Sequence, residues 1–360
     1  MPTIFSPKIL SIMPTWQCTA ACNDCGTYST PHNKIRLDLE DMLAAIDRAH
    51  EAKFEVVVFT GGEATLRWSD LLIAIGHASA LNLSTRLVSN AWWAKTAAEA
   101  TERVSKLAAV GLKEVNFSTG DEHARFVPLE RVINAIVASV ELGFSPSVMV
   151  EVRTGQALSK RHVLESPSLK ARLGTNIEKV DVTESPWMPM DPRAPANYPP
   201  SYYANKSNLG RKAGCDSLFK THTLQSDGVI AACCGLGIRN LQDLRIARFD
   251  RNATKFTDIE AQAEASLTRL LIKEFGPERL LSKVAALDPT IEWEDRYAHQ
   301  CQACAHVLGD PRVQAVIARN HDLFLRDLAL ALAAEASINA EINALSRQGF
   351  SPDPMVSSLP

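Results

Sequence analysis

No cysteine occurs between Thr27 and Gly214, although the 360-residue chain has eight: three within Cys18–Cys25 and five between Cys215 and Cys304. Long apolar runs are also missing. None approaches the roughly 20 residues that cross a bilayer, so no membrane-spanning helix is expected. Charge of one sign is not in excess. A net −3 provides no basic field to gather nucleic acid or an anionic membrane surface. The apolar stretch Met1–Met13 lacks a charged leader and a small-residue cleavage site, so no secretory signal is expected, and the cytoplasm is the expected compartment. Thiols stay reduced there, so the cysteines need a reason other than disulfides. Internal repeats and low-complexity tracts are absent. Two separate metal-binding groups are the simplest reading of the cysteine distribution.

From Ile9 to about Thr183, short apolar runs alternate with amphipathic ones. The runs Ile9–Met13, Glu55–Phe59, Thr85–Val88, Glu114–Phe117, Ser147–Val152 and Lys179–Val182 read as strands. Between them, sets such as Leu39, Met42, Leu43 and Ile46, or Val132, Ile133, Ile136, Val137 and Val140, recur at i, i+3, i+4 and predict helices with one apolar stripe. This alternation implies an α/β fold with parallel strands and right-handed crossovers. Periodicity alone leaves a partial barrel and an open doubly wound sheet as alternatives. Six prolines between Ser185 and Pro200 predict an extended linker. Pro311 opens a helical stretch to about Ser346, whose Val313, Val316, Ile317, Phe324, Leu328 and Leu332 are expected to lie against the barrel. Phe350–Pro360 reads as a frayed tail.

Cys18, Cys22 and Cys25 follow the first strand directly, so they sit at the strand edge where α/β folds bind ligands. Thiolates are the usual ligands of iron–sulfur clusters, and three of them leave one iron of a 4Fe-4S cube open. An open position is what a catalytic metal needs. A zinc site completed by a distant ligand, or buried thiols, is the plainer alternative. After the second strand come Thr60, Gly61, Gly62, Glu63, Ala64 and Thr65, where two glycines let the backbone approach a ligand closely.

The C-x3-C-x2-C spacing resembles the signature of the radical S-adenosylmethionine (SAM) superfamily, and Gly61-Gly62-Glu63 resembles its GGE motif. The resemblance covers about residues 8–185. It implies a partial (β/α)6 barrel, a SAM-binding 4Fe-4S cluster on Cys18, Cys22 and Cys25, and SAM itself as the second cofactor. Gly61, Gly62 and Glu63 would then hold the SAM amino group. Ser89-Asn90 resembles the family's Thr-Asn-Gly step with Ala91 in place of glycine, and Ser118, Asp121 and His123 resemble a pattern that contacts SAM or substrate. The resemblance suggests Arg153 as a partner for the SAM carboxylate. Asp24 departs from the family, which carries an aromatic residue before the third cysteine; Tyr28 is the nearby ring.

The second group reads Cys215, twelve residues, Gly228, four residues and Cys233, then Cys301-x2-Cys304. It resembles the auxiliary-cluster extension called SPASM or, when shorter, twitch. Since no cysteine follows Cys304, one auxiliary 4Fe-4S cluster on Cys215, Cys233, Cys301 and Cys304 is implied, with Cys234 spare or exchanged with Cys233 by one residue of register. Zinc on the run His299, Cys301, Cys304 and His306 is the alternative. The expected organisation is a radical SAM partial barrel at 1–185, a Pro-rich linker at 186–207, an auxiliary-cluster domain at 208–310, a helical segment at 311–346 and a flexible tail at 347–360.

By resemblance, the chain reductively cleaves SAM, and the resulting 5′-deoxyadenosyl radical takes a hydrogen atom from substrate. The auxiliary cluster assists oxidation or cross-linking. A ribosomally made peptide or protein is the leading substrate class, with dehydrogenation of a small molecule as the alternative. A non-catalytic iron–sulfur or zinc-binding protein is the third reading, and the GGE motif counts against it. A flavodoxin- or ferredoxin-like electron donor is implied. Only 17 residues precede Cys18, so any leader-peptide-binding module is expected on a separate protein.

Overall fold

The computed structural model describes residues 8–187 and 197–347, the side chains of 339–347 excepted. Strand β1 (Ile9–Ile12) leads through a long loop to α1 (Leu39–Glu51), and strand and helix then alternate. The series runs β2 (Val56–Phe59), α2 (Trp68–Ala80), β3 (Ser84–Ser89), α3 (Ala97–Ala109) and β4 (Glu114–Thr119). It continues with the single turn α4 (Asp121–Ala124), α5 (Leu129–Glu141), β5 (Ser147–Val152), α6 (Lys160–Leu164), α7 (Pro167–Leu173) and β6 (Asp181–Pro186). Local chemistry supports these elements. β2 reads Val-Val-Val-Phe, and β-branched and aromatic side chains suit a pleated buried surface. Helix α1 carries Glu40 and Asp41 in its first turn and Arg48 and His50 in its last, matching the helix dipole. The Thr96 hydroxyl caps α3 at the Glu99 amide.

All six strands pair in parallel and in sequence order from β1 to β6. A doubly wound sheet reverses its order at a switch point. This one does not, and β6 remains an edge rather than returning to β1, so the architecture is an open, partial barrel. On the helix side, the fully buried Leu10, Ile12, Val57, Phe59, Leu87 and Phe117 pack with Met42, Ile46, Leu71 and Ile75. The expected sixth strand, Lys179–Val182, lies two to four residues further on. Gly174–Lys179 forms a 3-10 turn, and the exposed Thr183 and Glu184 of an edge strand leave no apolar run to read.

The sheet does not stop at β1. Strand β7 (Thr221–Leu224) pairs with β1 in parallel, and β8 (Val229–Ala231) and β9 (Arg245–Arg248) follow antiparallel. The remaining helices are α8 (Phe256–Glu264), α9 (Leu267–Phe275), α10 (Pro277–Leu287), α11 (Gln300–Gly309), α12 (Pro311–Arg319) and α13 (His321–Arg347). The C-terminal stretch is thus two helices with a break at Asn320, rather than one. Val313, Val316, Ile317, Phe324 and Leu328 belong to a second core with Leu271, Leu281 and Val284, against which Leu332 also packs. They cover α9 and α10, not the barrel as expected, because those helices lie between. Of the expected linker, residues 188–196 fall outside the described residues. On either side of them, Pro186 ends β6 and the Tyr198 hydroxyl donates to the Trp187 carbonyl. The expected tail falls outside them too, apart from Arg347. Among the described residues no helix is long and apolar enough to cross a membrane.

His222 on β7 is buried between Phe54 and Phe256, and neither ring nitrogen has a hydrogen-bond partner. Burial lowers its pKa to about 4 from the ordinary 6.5. Between those values the unfolded chain binds a proton that the folded chain refuses, so stability falls as pH drops through that window. Urea unfolding at pH 7 and pH 4.5 should show a His222→Leu variant losing about 2 kcal/mol less than the parent over this interval.

Candidate functional site

The loop after β1 carries Cys18, Cys22 and Cys25, and its return limb holds it in place. The amides of Trp16 and Cys18 donate to the carbonyls of Ile35 and Thr30 at 3.0 and 3.2 Å, and Leu37 donates to Pro14 at 3.0 Å. All three cysteines line one cleft at the barrel mouth, with about 800 Å³ of empty space continuous with solvent. Thr60, Gly61, Gly62, Ser89, Asn90, Ser118, His123 and Trp187 are among its other walls. Burial, the larger cause, raises the Cys18 thiol to about 12 and the Cys22 thiol higher still. The amides of Ala20 and Ser29 approach the sulfurs of Cys18 and Cys25 at 3.4 Å, as donors to anionic sulfur would. Such thiols lose their protons to a bound metal rather than to water. This donor set fits an iron–sulfur cluster.

Gly62 shows what the glycine pair makes room for. A Cβ there would fall 2.2 Å from the Gln17 carbonyl oxygen, so the chain after β2 lies directly on the chain leading to Cys18. Gly62 and Glu63 donate their amides to Thr15 and Gln17 at 3.0 and 2.8 Å. The Glu63 side chain is 1 % exposed and turned into the protein, and it does not line the cleft. Its carboxylate accepts from the Thr65 hydroxyl at 2.6 Å, the Ser89 hydroxyl at 3.0 Å and the Asn90 amide at 2.9 Å. Burial raises its pKa against these hydrogen bonds. The Asn90 side chain continues the chain of contacts, donating to Thr19 Oγ1 at 3.1 Å with Cys18 Sγ at 3.7 Å. Ala91 sits at φ +59°, the left-handed conformation for which a glycine would be expected. Thr65, Trp92 and Trp93 complete this brace: the two indoles donate to the hydroxyls of Thr65 and Ser89 at 3.0 Å each.

Arg153 is placed differently from a free SAM ligand. Its guanidinium bonds Asp24 and Glu151 and lies 3.6 Å from Glu122. Glu122 in turn accepts the Asn23 amide at 2.8 Å, and its own amide donates to Glu151 at 3.0 Å. The cysteine loop is thereby tied to the ends of β4 and β5 by buried charge. This accounts for Asp24 where an aromatic was expected, since the side chain meets a guanidinium and also lines the cleft. Burial raises its pKa despite Arg153. Tyr28 does not line the cleft. Opposite, the Ser118 hydroxyl lies 3.4 Å from His123 Nε2, and the His123 ring stands edge-on to Trp187 at 4.3 Å. Burial lowers the His123 pKa to about 4, so the imidazole is neutral. Asp121 faces away, accepting the amides of Ala157 and Leu158.

Cys215, Cys233, Cys301 and Cys304 line a second, mostly apolar cavity of about 450 Å³ with Leu218, Ile238 and Ile272. Cys215 precedes β7, Cys233 follows β8, and Cys301 and Cys304 lie about one turn apart at the start of α11. Burial raises the thiols, Cys301 to about 12. Cys234 is exposed and outside this lining. The histidines of the Cys-His run have other partners. His299 caps α11 by accepting the Cys301 amide at 3.1 Å, and His306 is held by the Tyr297 hydroxyl and Asp310. Among the described residues no three His, Cys, Asp or Glu side chains close on a point as around a single metal ion.

Replacing Gly62 with alanine drives a methyl group into the Gln17 carbonyl. The variant should lose about 2 kcal/mol or more in urea unfolding, as overpacking and backbone displacement require. Wild-type stability would mean that the two loops are not in contact.

Residues 12–153 match the family model of the Radical SAM superfamily. A putative peptide biosynthesis protein of Bacillus subtilis (strain 168), YydG, is 24 % identical over 182 residues, or 50 % of this chain and 54 % of that protein. The chain therefore spans about half the length of this curated relative. Among solved structures, Streptococcus suis SuiB bound to its precursor peptide SuiA aligns with TM-score 0.51 and 15 % identity, over 72 % of this chain and 65 % of that one. Native anSMEcpe, solved with S-adenosylmethionine and the Cp18Cys peptide, aligns with TM-score 0.52 and 13 % identity, over 90 % of this chain and 99 % of that one. At these identities the structural likeness is one of fold. The family match over residues 12–153 takes in the cysteine loop, the GGE turn and strands β2 to β5, so this stretch of the chain is similar to the Radical SAM superfamily in sequence as well as in fold.

Proposed function

We propose that the chain is a radical SAM enzyme acting on a peptide or protein, with a 4Fe-4S cluster on Cys18, Cys22 and Cys25 and an auxiliary 4Fe-4S cluster on Cys215, Cys233, Cys301 and Cys304. The observation that carries it is the convergence of the Cys18, Cys22 and Cys25 thiols, the Gly61-Gly62 turn and Asn90 on one open cleft. When bound, the cluster and SAM supply a carbon radical that removes a hydrogen atom from substrate.

The chain's own residues define the rest. Thr60–Gly62 and Asn90 form the wall beside Cys18, where the SAM amino and carboxylate groups would lie. Glu63 acts behind them, orienting Asn90 through its amide and the turn through Thr65. Arg153 holds Asp24 and thereby the cysteine loop. Ser118, His123 and Trp187 offer a neutral, partly apolar wall on the substrate side, which suits a radical step that must exclude water. Four thiols around one mostly apolar cavity would leave no open iron, which supports an electron-transfer role for the second cluster. The peptide substrate class draws support from YydG, named for peptide biosynthesis, and from SuiB and anSMEcpe, both solved with peptides. A flavodoxin- or ferredoxin-like donor and a separate leader-binding protein complete the proposal.

Anaerobically reconstituted protein should contain about eight irons and, with dithionite, convert SAM to methionine and 5′-deoxyadenosine. Replacing Cys18, Cys22 and Cys25 together with alanine should leave about four irons and no cleavage. Cleavage surviving in that variant contradicts the site assignment, and about four irons plus one zinc in the parent contradicts the second cluster.

A further inference from the structure

The chain leaving Cys233 runs straight from the second cysteine site to the first. Gly235 donates its amide to Cys233 Sγ at 3.4 Å, and a Cβ on it would sit 3.3 Å from Cys301 Sγ. Leu236, next along, lines both cavities and is the wall they share. It presses on the residue after Cys25: a Cβ on Gly26 would fall 2.3 Å from Leu236 Cδ2. The Gly237 amide then donates to the Gly26 carbonyl at 2.7 Å. Arg239 ends the run. Its guanidinium donates to the Tyr28 carbonyl at 3.0 Å and lies 3.8 Å from the ring centre of Trp16, two residues before Cys18. One loop, anchored at the second site, therefore grips the first cysteine loop on both flanks.

We propose that Arg239 is a positioning residue through which the second cysteine site, when filled, sets the shape of the first. The proposal rests on the cluster reading above and adds a coupling between the two sites. The contacts are directional: a planar guanidinium stacked on an indole while bonding a carbonyl has one geometry. If Cys233 and Cys301 shift on losing their metal, Gly235 and Leu236 shift with them. The backbone at Gly26 and Tyr28 then loses its template, and Cys25 is displaced relative to the cleft. Lysine keeps the charge of Arg239 but not the flat fork.

The test compares anaerobically reconstituted wild type with Arg239→Met, Arg239→Lys, Cys301→Ser/Cys304→Ser and the last combined with Arg239→Met. SAM affinity and the electron paramagnetic resonance change on SAM addition are read, with iron content and thermal unfolding as controls. Arg239→Met should bind SAM about tenfold more weakly with a broadened spectrum, and Arg239→Lys should recover only part of the loss. The second-site variant should show the same weakening, and adding Arg239→Met to it should change little, because both act through one contact. Should the methionine variant lose the fold, Arg239→Lys carries the test. Wild-type affinity and spectra in Arg239→Met, full recovery in Arg239→Lys, or independent multiplicative effects of the two sites would overturn the coupling alone. Wild type that binds no SAM would sink the cluster reading, and the coupling with it.

Discussion

The parallel pairing of β1 with β7 is the constraint on which the rest of this structure depends. β1 has two edges. One is taken by β2, and Ile9–Ile12 uses the other to pair residue for residue with Thr221–Leu224. The contact extends past the strand ends, with the Met13 amide on Leu224 and the Ser226 hydroxyl on the Met13 carbonyl at 2.8 Å. A strand that would be an edge of the partial barrel thus becomes interior, and its backbone groups are satisfied from both sides. The same pairing joins the chain carrying Cys215 and Cys233 to the strand that launches Cys18–Cys25. The two cysteine groups, almost 200 residues apart in sequence, come to share a wall at Leu236 through this one ladder.

Buried charge then does what apolar packing cannot do at an open cleft. Glu63, Glu122 and Glu151 are 1 %, 6 % and 1 % exposed, and each is held by named protein donors. Burying such groups costs more than their attraction returns unless every lone pair is met. The gain is geometric. Glu63 joins the loops after β2 and β3, and the Arg153 cluster joins the cysteine loop to the ends of β4 and β5. The cleft keeps polar groups on its walls while its shape is set from behind.

The first five strands and the cysteine spacing were legible because β-branched runs and C-x3-C-x2-C are local patterns. The sixth strand was offset because an edge carries polar side chains outward. Strands β7–β9 could not be read: Thr-His-Thr-Leu, Val-Ile-Ala and Arg-Ile-Ala-Arg are too short to show a period. At the site, residue types were informative and partners were not. Glu63 and Arg153 were expected to reach a ligand; in the structure Glu63 accepts hydrogen bonds from side chains and backbone amides of the loops after β2 and β3, and Arg153 pairs with Asp24 and Glu151. Asp24 looked anomalous only because Arg153, 129 residues away, could not be seen beside it. Cys233 and Cys234 are equivalent as letters, and burial separates them. Nothing in the sequence singled out Leu236, Arg239, Glu122 or Trp187, whose importance comes entirely from which loops meet.

We propose that the two thiol sites hold two iron–sulfur clusters on either side of Leu236. Anomalous diffraction at the iron edge from anaerobically grown crystals tests it most directly. Two iron peaks are predicted, one against Cys18, Cys22 and Cys25 with a side open to the cleft, the other enclosed by Cys215, Cys233, Cys301 and Cys304. An iron peak missing from the three-cysteine loop, or a zinc-edge peak in place of iron at the four-cysteine cavity, would contradict it.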